Sequence, residues 1–203
     1  MEGLGNEEGI KEEMKEEIKE EIKVRIFESA LTLFREKGIK FTMDDVAKNL
    51  GISKKTLYLV VRDKEALLNE MVDYGFNLIK EAERKIVESE MPLLDKIQQI
   101  IIVLPEQYQN LDLRQMIQIK DRYPKIYQKV AVRLETGWDE TLILLQEAVD
   151  QGLIRDLNFT ILKAILEGAF EHFLGSGVLS DNGIKYEIAL QTMMDIMMNG
   201  IKK

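Results

Sequence analysis

Apolar residues recur along most of the chain at intervals of three and four, the spacing that places side chains on one face of a helix. Ile26, Ala30 and Phe34 form one such face, and Gly38 follows them as a helix-ending residue. No segment alternates apolar and polar residues as a half-buried strand does, and the 203 residues include three prolines. The pattern predicts an all-α protein.

Long amphipathic helices are predicted over the larger, C-terminal part of the chain. One begins after Asp63, whose carboxylate suits a helix N-terminus, and reaches about residue 88. The others are predicted at residues 92–104, 111–121, 125–151, 158–174 and 184–199. Together they are long enough to enclose a core, so we predict a helical body over residues 67–203.

Two short helices are predicted on either side of Gly51, over residues 43–50 and 54–60. Thr42 and Ser53 precede them and carry the hydroxyl groups typical of N-caps. Glycine adopts a positive φ at little cost, so the chain can turn sharply at residue 51. Two short helices joined by a tight glycine turn are typical of a helix-turn-helix, which presents the start of its second helix to the major groove of DNA.

Charge is divided unevenly along the chain, although the net charge is −8. Residues 1–21 hold nine Glu and three Lys, whereas residues 22–65 hold ten Lys or Arg and six Asp or Glu. Residues 66–203 are again acidic. Local positive potential attracts a polyanion more than the total charge does. The distribution therefore favours a DNA-binding domain over residues 22–66.

The acidic extension, residues 1–21, contains the repeat "IKEEMKEEIKEE" and is predicted to be helical from about residue 10. Three interpretations remain open for it. It is a solvated continuation of the first helix laced with ion pairs, a helix that binds a protein partner, or an arm that lowers DNA affinity by charge repulsion.

Composition argues against several other classes of protein. No run approaches the roughly 18 apolar residues that span a bilayer, and the acidic N-terminus lacks the basic region of a secretory signal. The chain also has no cysteine, so it forms neither disulfides nor thiolate metal sites. We therefore expect a cytoplasmic protein.

Catalytic chemistry finds little support in the sequence. There is one histidine, no glycine-rich phosphate loop and no nucleophile elbow. His172 stands beside Glu171 without further ligands at metal spacing, so a core or interface histidine is a better interpretation than a metal site. We expect no enzyme, cofactor or metal. A helical interaction module remains as an alternative, and it would bind its partner without Lys54 and Lys55.

Residues 34–67, "FREKGIKFTMDDVAKNLGISKKTLYLVVRDKEAL", closely resemble the DNA-binding segment of the TetR family of bacterial transcriptional regulators. The pieces "LFREKGIKFTM", "DDVAKNLGISKKTLY" and "DKEAL" occur in the order and spacing of that family. The resemblance covers about a sixth of the chain. It implies a three-helix DNA-binding head, a helical sensor body and a homodimer, usually a repressor released from a pseudo-palindromic operator by a small molecule.

The resemblance also implies which residues contact DNA. By the family pattern Thr42 and Lys64 contact phosphates, the start of the second short helix enters the groove, and Tyr58 contacts the backbone. The implied DNA-binding residues are Thr42, Ser53, Lys54, Lys55, Thr56, Tyr58 and Lys64. From the residues alone, the two adjacent lysines could equally form a solvated face, and Tyr58 could serve local packing.

The chain departs from the family pattern directly after "TLY", where polar or aromatic residues and then a phenylalanine are usual. Here Leu59, Val60 and Val61 follow. Val61 can replace the phenylalanine as a smaller core residue. Leu59 and Val60 either contact thymine methyl groups or leave the protein with weak or unusual base recognition.

The resemblance assigns the last two helices to dimerisation and the middle helices to a ligand pocket. The candidate interface residues are small or apolar: Ile161, Ala164, Ile165, Gly168, Phe173, Leu190, Met194 and Met197. The methionines among them could equally belong to the core. The candidate pocket residues are Tyr108, Met116, Tyr123, Trp138, Leu142 and Phe170, which would suit an apolar, aromatic or cationic molecule.

Overall fold

The computed structural model describes residues 4–109 and 114–202, with side chains described for residues 18–109 and 115–202. Extended structure in these ranges is limited to an isolated bridge between Ile154 and Lys202, and the all-α prediction is confirmed. The helices are α1 (Leu4–Lys37), α2 (Met43–Leu50), α3 (Lys54–Val60), α4 (Lys64–Glu88), α5 (Leu93–Ile102), α6 (Arg114–Arg122), α7 (Pro124–Leu134), α8 (Asp139–Asp150), α9 (Phe159–Gly175), α10 (Val178–Asp181) and α11 (Tyr186–Ile201).

The chain divides into two compact units, Met1–Met71 and Val72–Lys203. The division falls within α4, a few residues beyond the boundary that the sequence placed after residue 66. Helix α1 begins at Leu4, earlier than the predicted start near residue 10. Within residues 4–109 and 114–202, no helix combines the length and apolarity that a membrane crossing requires.

The first unit is held by apolar side chains that are buried on α1, α2, α3 and the start of α4. Ile26 of α1, Val46 of α2, Leu57 of α3 and Leu67 of α4 are each fully buried, as is Val61 after α3. Complete burial of such a side chain contributes about 1.5–3 kcal/mol. This shared core fixes the angle at which α3 leaves α2, so one side of α3 faces inward and the opposite side faces solvent.

The second unit has its own core, formed mainly by α5, α8, α9 and α11. Ile97, Leu145, Leu166 and Met194 are almost completely buried in it. The single helix predicted over residues 125–151 is wrong, because the structure divides it into α7 and α8. Gly137 lies in the connection between them with a φ of 80°, a left-handed conformation that a continuous helix could not contain.

Candidate nucleic-acid interface

The turn between α2 and α3 depends on the backbone of Gly51. This glycine has φ 66° and ψ 27°, and its N–H donates to the carbonyl of Lys48, while the Ile52 N–H donates to that of Ala47. The paired bonds are a Schellman motif, which satisfies the last carbonyls of α2. A Cβ added at Gly51 would meet nothing within 4 Å. The requirement for glycine is therefore conformational, not steric.

The start of α2 is fixed by a reciprocal capping box. The Thr42 hydroxyl accepts from the Asp45 N–H at 3.1 Å, and the Thr42 N–H donates to the Asp45 carboxylate at 2.8 Å. Lys37 also binds this carboxylate, at 2.7 Å. These hydrogen bonds, that of Lys37 first and those of Thr42 second, hold the pKa of Asp45 well below its usual range. The predicted N-cap is confirmed, and its hydroxyl lies at the entrance to the helix-turn-helix.

A second cap starts α3. The Ser53 hydroxyl oxygen accepts from the Thr56 N–H at 3.0 Å and lies 2.8 Å from the Thr56 hydroxyl. Lys54 then forms an ion pair with Asp44 of α2, with 2.5 Å between the charged atoms. The hydrogen bond with Asp44 is the main cause that raises the pKa of Lys54. In the protein alone, this ammonium is therefore already paired with a carboxylate.

Lys55 has a different environment from its neighbour. Its side chain is exposed, and in the described part of the chain it forms no ion pair. Tyr58 and Leu59 are also exposed, by 49% and 74%, whereas Leu57 is fully buried. The sequence motif does indicate Lys55 and Tyr58 as surface residues of α3. The motif does not indicate that Leu59 is exposed. Its 74% exposure becomes clear only in the structure, where Leu57 occupies the buried side of α3.

Lys64, at the start of α4, directs its ammonium group toward the protein's own backbone. It donates to the carbonyl of Ile39, in the 3₁₀ turn Gly38–Lys40, and to that of Phe41 at 2.5 Å. The same ammonium lies 4.3 Å from the centre of the Phe41 ring. The turn that it holds leads directly to Thr42. The resemblance implied a phosphate contact for Lys64, but its clearest role in the structure is to brace the approach to α2.

A polar cluster joins α4 to α7 within the second unit. Asp73 accepts from Lys129 and from Arg133, at 2.5 Å in each case. Burial raises the pKa of Asp73, but the two hydrogen bonds outweigh it, and the net shift is downward. This cluster was not foreseen, because Asp73 and its partners are more than 50 positions apart in a chain rich in charged residues.

The candidate pocket residues lie in three different places. Trp138, Leu142 and Phe170 pack on one core cluster, where the rings of Trp138 and Phe170 stack at 6.4 Å between centroids. Tyr108 lies beside Gly75 of α4, where an added Cβ would come within 2.8 Å of its ring. The half-buried side chains of the remaining pair lie elsewhere, Met116 on α6 and Tyr123 directly before α7.

The candidate interface residues are exposed mainly on α9. Ile161, Ala164, Ile165 and Gly168 form one exposed face of that helix, and Phe173 is half-buried. We name the four exposed residues the α9 stripe. His172, farther along α9, is also exposed.

Helix α11 presents other residues than those predicted. Leu190 and Met194 are buried in the core of the second unit, and Met197 is half-buried against that core. The exposed apolar residues of α11 are instead Ile188 and Ile196, at 58% and 70%. Apolar periodicity alone cannot distinguish two apolar faces of one helix. The candidate interface residues of α11 were therefore chosen on the face that the structure buries.

Comparison with known proteins identifies relatives for both parts of the chain. Residues 26–71 match the family described as bacterial regulatory proteins, TetR family. The uncharacterized HTH-type transcriptional regulator YvaF of Bacillus subtilis is 28% identical over 178 residues, covering 87% of this chain and 94% of YvaF. The negative transcriptional regulator IcaR of the Staphylococcus epidermidis biofilm operon icaADBC is 39% identical over 54 residues, 26% of this chain and 29% of IcaR.

A solved structure shares the fold. The transcriptional regulator FadR from Bacillus subtilis, in complex with stearoyl-CoA, aligns with a TM-score of 0.60 at 16% identity. The alignment covers 86% of this chain and 96% of FadR. The matched family and these relatives are transcriptional regulators and not enzymes.

Proposed function

We propose that this chain is a member of the TetR family of transcriptional regulators and acts as a dimeric, ligand-responsive repressor in the cytoplasm. The observation that carries the proposal is the exposed outer side of α3, with Lys55 and Tyr58, directly after the glycine turn of a domain that matches the family. The name of IcaR, a negative regulator, supports repression as the direction of control.

The DNA contacts that we propose centre on α3. Lys55 carries an exposed ammonium that can reach a base edge or a phosphate, and Tyr58 and Thr56 can donate to the backbone. Lys54 contributes once its ion pair with Asp44 opens, at small cost because both side chains are in contact with solvent.

Two further elements position α3 on the duplex. Thr42 and Ser53 lie at the starts of α2 and α3 and orient these helices through their caps. Lys64 acts on DNA through the turn that it holds ahead of Thr42.

Dimerisation is proposed through the exposed apolar residues of α9 and α11. The α9 stripe contains two isoleucines with more than half of their surface exposed, and its small residues allow close approach of a second helix. A symmetric interface of this kind repeats the same contacts from both subunits. A two-fold dimer carries two reading helices, so the operator is expected to be pseudo-palindromic, with half-sites set by the spacing of those helices.

An effector is proposed to bind among the helices of the second unit. Trp138, Leu142 and Phe170 supply an aromatic and apolar lining for a hydrophobic molecule, and FadR, with the same fold, holds stearoyl-CoA. The cluster of Asp73 with α7 would transmit a displacement of α7 to α4, which continues to Lys64. The effector can act only if it has different affinities for the DNA-binding and released conformations.

Selection of genomic fragments on the full-length protein tests this function. The protein, immobilised through a C-terminal tag, is offered sheared DNA from its source organism, with and without a small-molecule extract of the same cells. We expect enrichment of one or a few promoter fragments and loss of that enrichment with the extract. Enrichment of no fragment at low salt would contradict DNA binding, and enrichment that no extract changes would contradict ligand control.

A further inference from the structure

The outermost line of α3 consists of a lysine and a leucine. Successive residues of a helix are about 100° apart, so Lys55 and Leu59 lie within about 40° of each other. Both are nearly opposite Leu57, which is fully buried and marks the inner side of the helix. Leu59 is 74% exposed, more than any other large apolar side chain in the described part of the chain.

An aliphatic side chain at this place limits what the protein can recognise. Leu59 has no donor or acceptor, so it makes no hydrogen bond to a phosphate or a base edge. The thymine methyl group is the apolar group that a base pair presents in the major groove, and apolar side chains recognise it by contact. The neighbours of Leu59 on the exposed side, Lys55 and Tyr58, are polar, which fits a nucleic-acid surface better than an apolar docking patch.

We infer that Leu59 determines specificity by packing on a thymine methyl group, beside a guanine that Lys55 contacts. The inference rests on the proposed DNA-binding function. Residues four apart on a helix are separated by about 6 Å along its axis, close to the length of two base steps of about 3.4 Å. Each half-site of the operator is therefore expected to hold a thymine within about two base pairs of a guanine.

The experiment removes the methyl group from the DNA and the side chain from the protein. Full-length protein first selects duplexes from a random pool, which supplies an operator without knowledge of the genome. Each thymine of the consensus is then replaced by deoxyuridine, which lacks only the methyl group. Affinities are measured by fluorescence anisotropy for the wild type, for Leu59→Ala and for Ile143→Ala, a control that removes an isoleucine 62% exposed on α8.

At one thymine in each half-site, deoxyuridine is expected to weaken wild-type binding about fourfold, the effect of withdrawing one buried methyl group. Ile143→Ala should show the same loss, whereas Leu59→Ala should bind both duplexes equally. Thermal unfolding should be nearly the same for all three proteins, since both side chains are exposed.

Two results would overturn the inference. The first is a wild-type protein that ignores deoxyuridine at every position, and the second is a Leu59→Ala variant that keeps the wild-type sensitivity. In both cases DNA binding itself stands, because the protein has selected an operator. A protein that enriches no duplex overturns the proposed function and this inference together.

Discussion

Replacement of Lys64 by methionine separates the two ways in which this lysine could serve DNA binding. Methionine keeps an unbranched side chain of similar length but removes the ammonium group. In the structure that group donates to the carbonyls of Ile39 and Phe41 and lies 4.3 Å from the centre of the Phe41 ring. Lys64→Met leaves both carbonyls without this donor and frees the turn ahead of Thr42.

The expected loss of stability follows from these interactions. A hydrogen bond from a charged donor contributes about 1.5–3 kcal/mol, and a cation–π interaction about 0.5–1 kcal/mol where the cation is accessible. Lys64 is only partly buried, so water can replace part of this stabilisation. We therefore expect the first unit to be destabilised by roughly 2–4 kcal/mol, a large share of the roughly 5–15 kcal/mol that typically stabilises a domain.

Urea unfolding followed by circular dichroism measures this destabilisation. The midpoint should fall by roughly 1 M, with the slope of the transition unchanged. The control is Lys55→Met, the same substitution at an exposed lysine for which the described part of the chain offers no ion pair, and it should change stability by less than about 0.5 kcal/mol. Equal stability of the two variants would refute the bracing role of Lys64.

The salt dependence of DNA binding then separates bracing from direct contact. If Lys64 only holds the turn, Lys64→Met weakens binding at every salt concentration and leaves the slope of log affinity against log salt unchanged. If its ammonium neutralises a phosphate, the substitution makes that slope shallower by about 0.9 for each phosphate that is no longer neutralised. The structure predicts the first result.

Three further substitutions test other parts of the account. Gly51→Ala should destabilise the first unit by about 1–2 kcal/mol, because alanine must adopt the left-handed conformation. Gly51→Asn should destabilise it less. Equal losses of stability for the two variants in urea unfolding would contradict the backbone argument. Asp44→Asn should tighten DNA binding a few-fold by releasing Lys54 and removing a negative charge; unchanged anisotropy titrations would show that the ion pair does not compete with DNA. Ile165→Glu should raise the dimer dissociation constant at least about 30-fold in sedimentation experiments, as for a central interface residue. The control Ile143→Glu should leave this constant unchanged. A dimer that tolerates both substitutions would place the interface elsewhere.

Most of the first unit could be predicted from the sequence because its signals are local. A cap, a glycine turn and a second cap within twelve residues determine the ends of α2 and α3, and each depends on neighbours a few positions away. From the sequence, the Thr42 cap was predicted without its partner Asp45, although the three-residue spacing between them is that of a capping box. The ion pair of Lys54 with Asp44 could not be predicted from the sequence, because it depends on the crossing angle of α2 and α3.

The second unit was harder to predict because its information is carried by long-range packing. The break at Gly137 interrupts an amphipathic pattern that continues on both sides, so periodicity joined two helices into one. On α11, Met194 and Ile196 are both apolar, and only the packed core shows that the first is buried and the second exposed. Which of the candidate interface residues are exposed and which are buried could therefore not be predicted from the sequence.

The affinity of the full-length protein for its selected duplex, measured as salt rises from about 50 to about 200 mM, tests the central claim most directly. If α3 binds DNA through its lysines and is positioned by α2, the affinity should fall at least about tenfold over this range. Lys55→Ala should also weaken binding by about 1–3 kcal/mol at fixed salt. An affinity that stays constant with salt and is unaffected by Lys55→Ala would contradict the account.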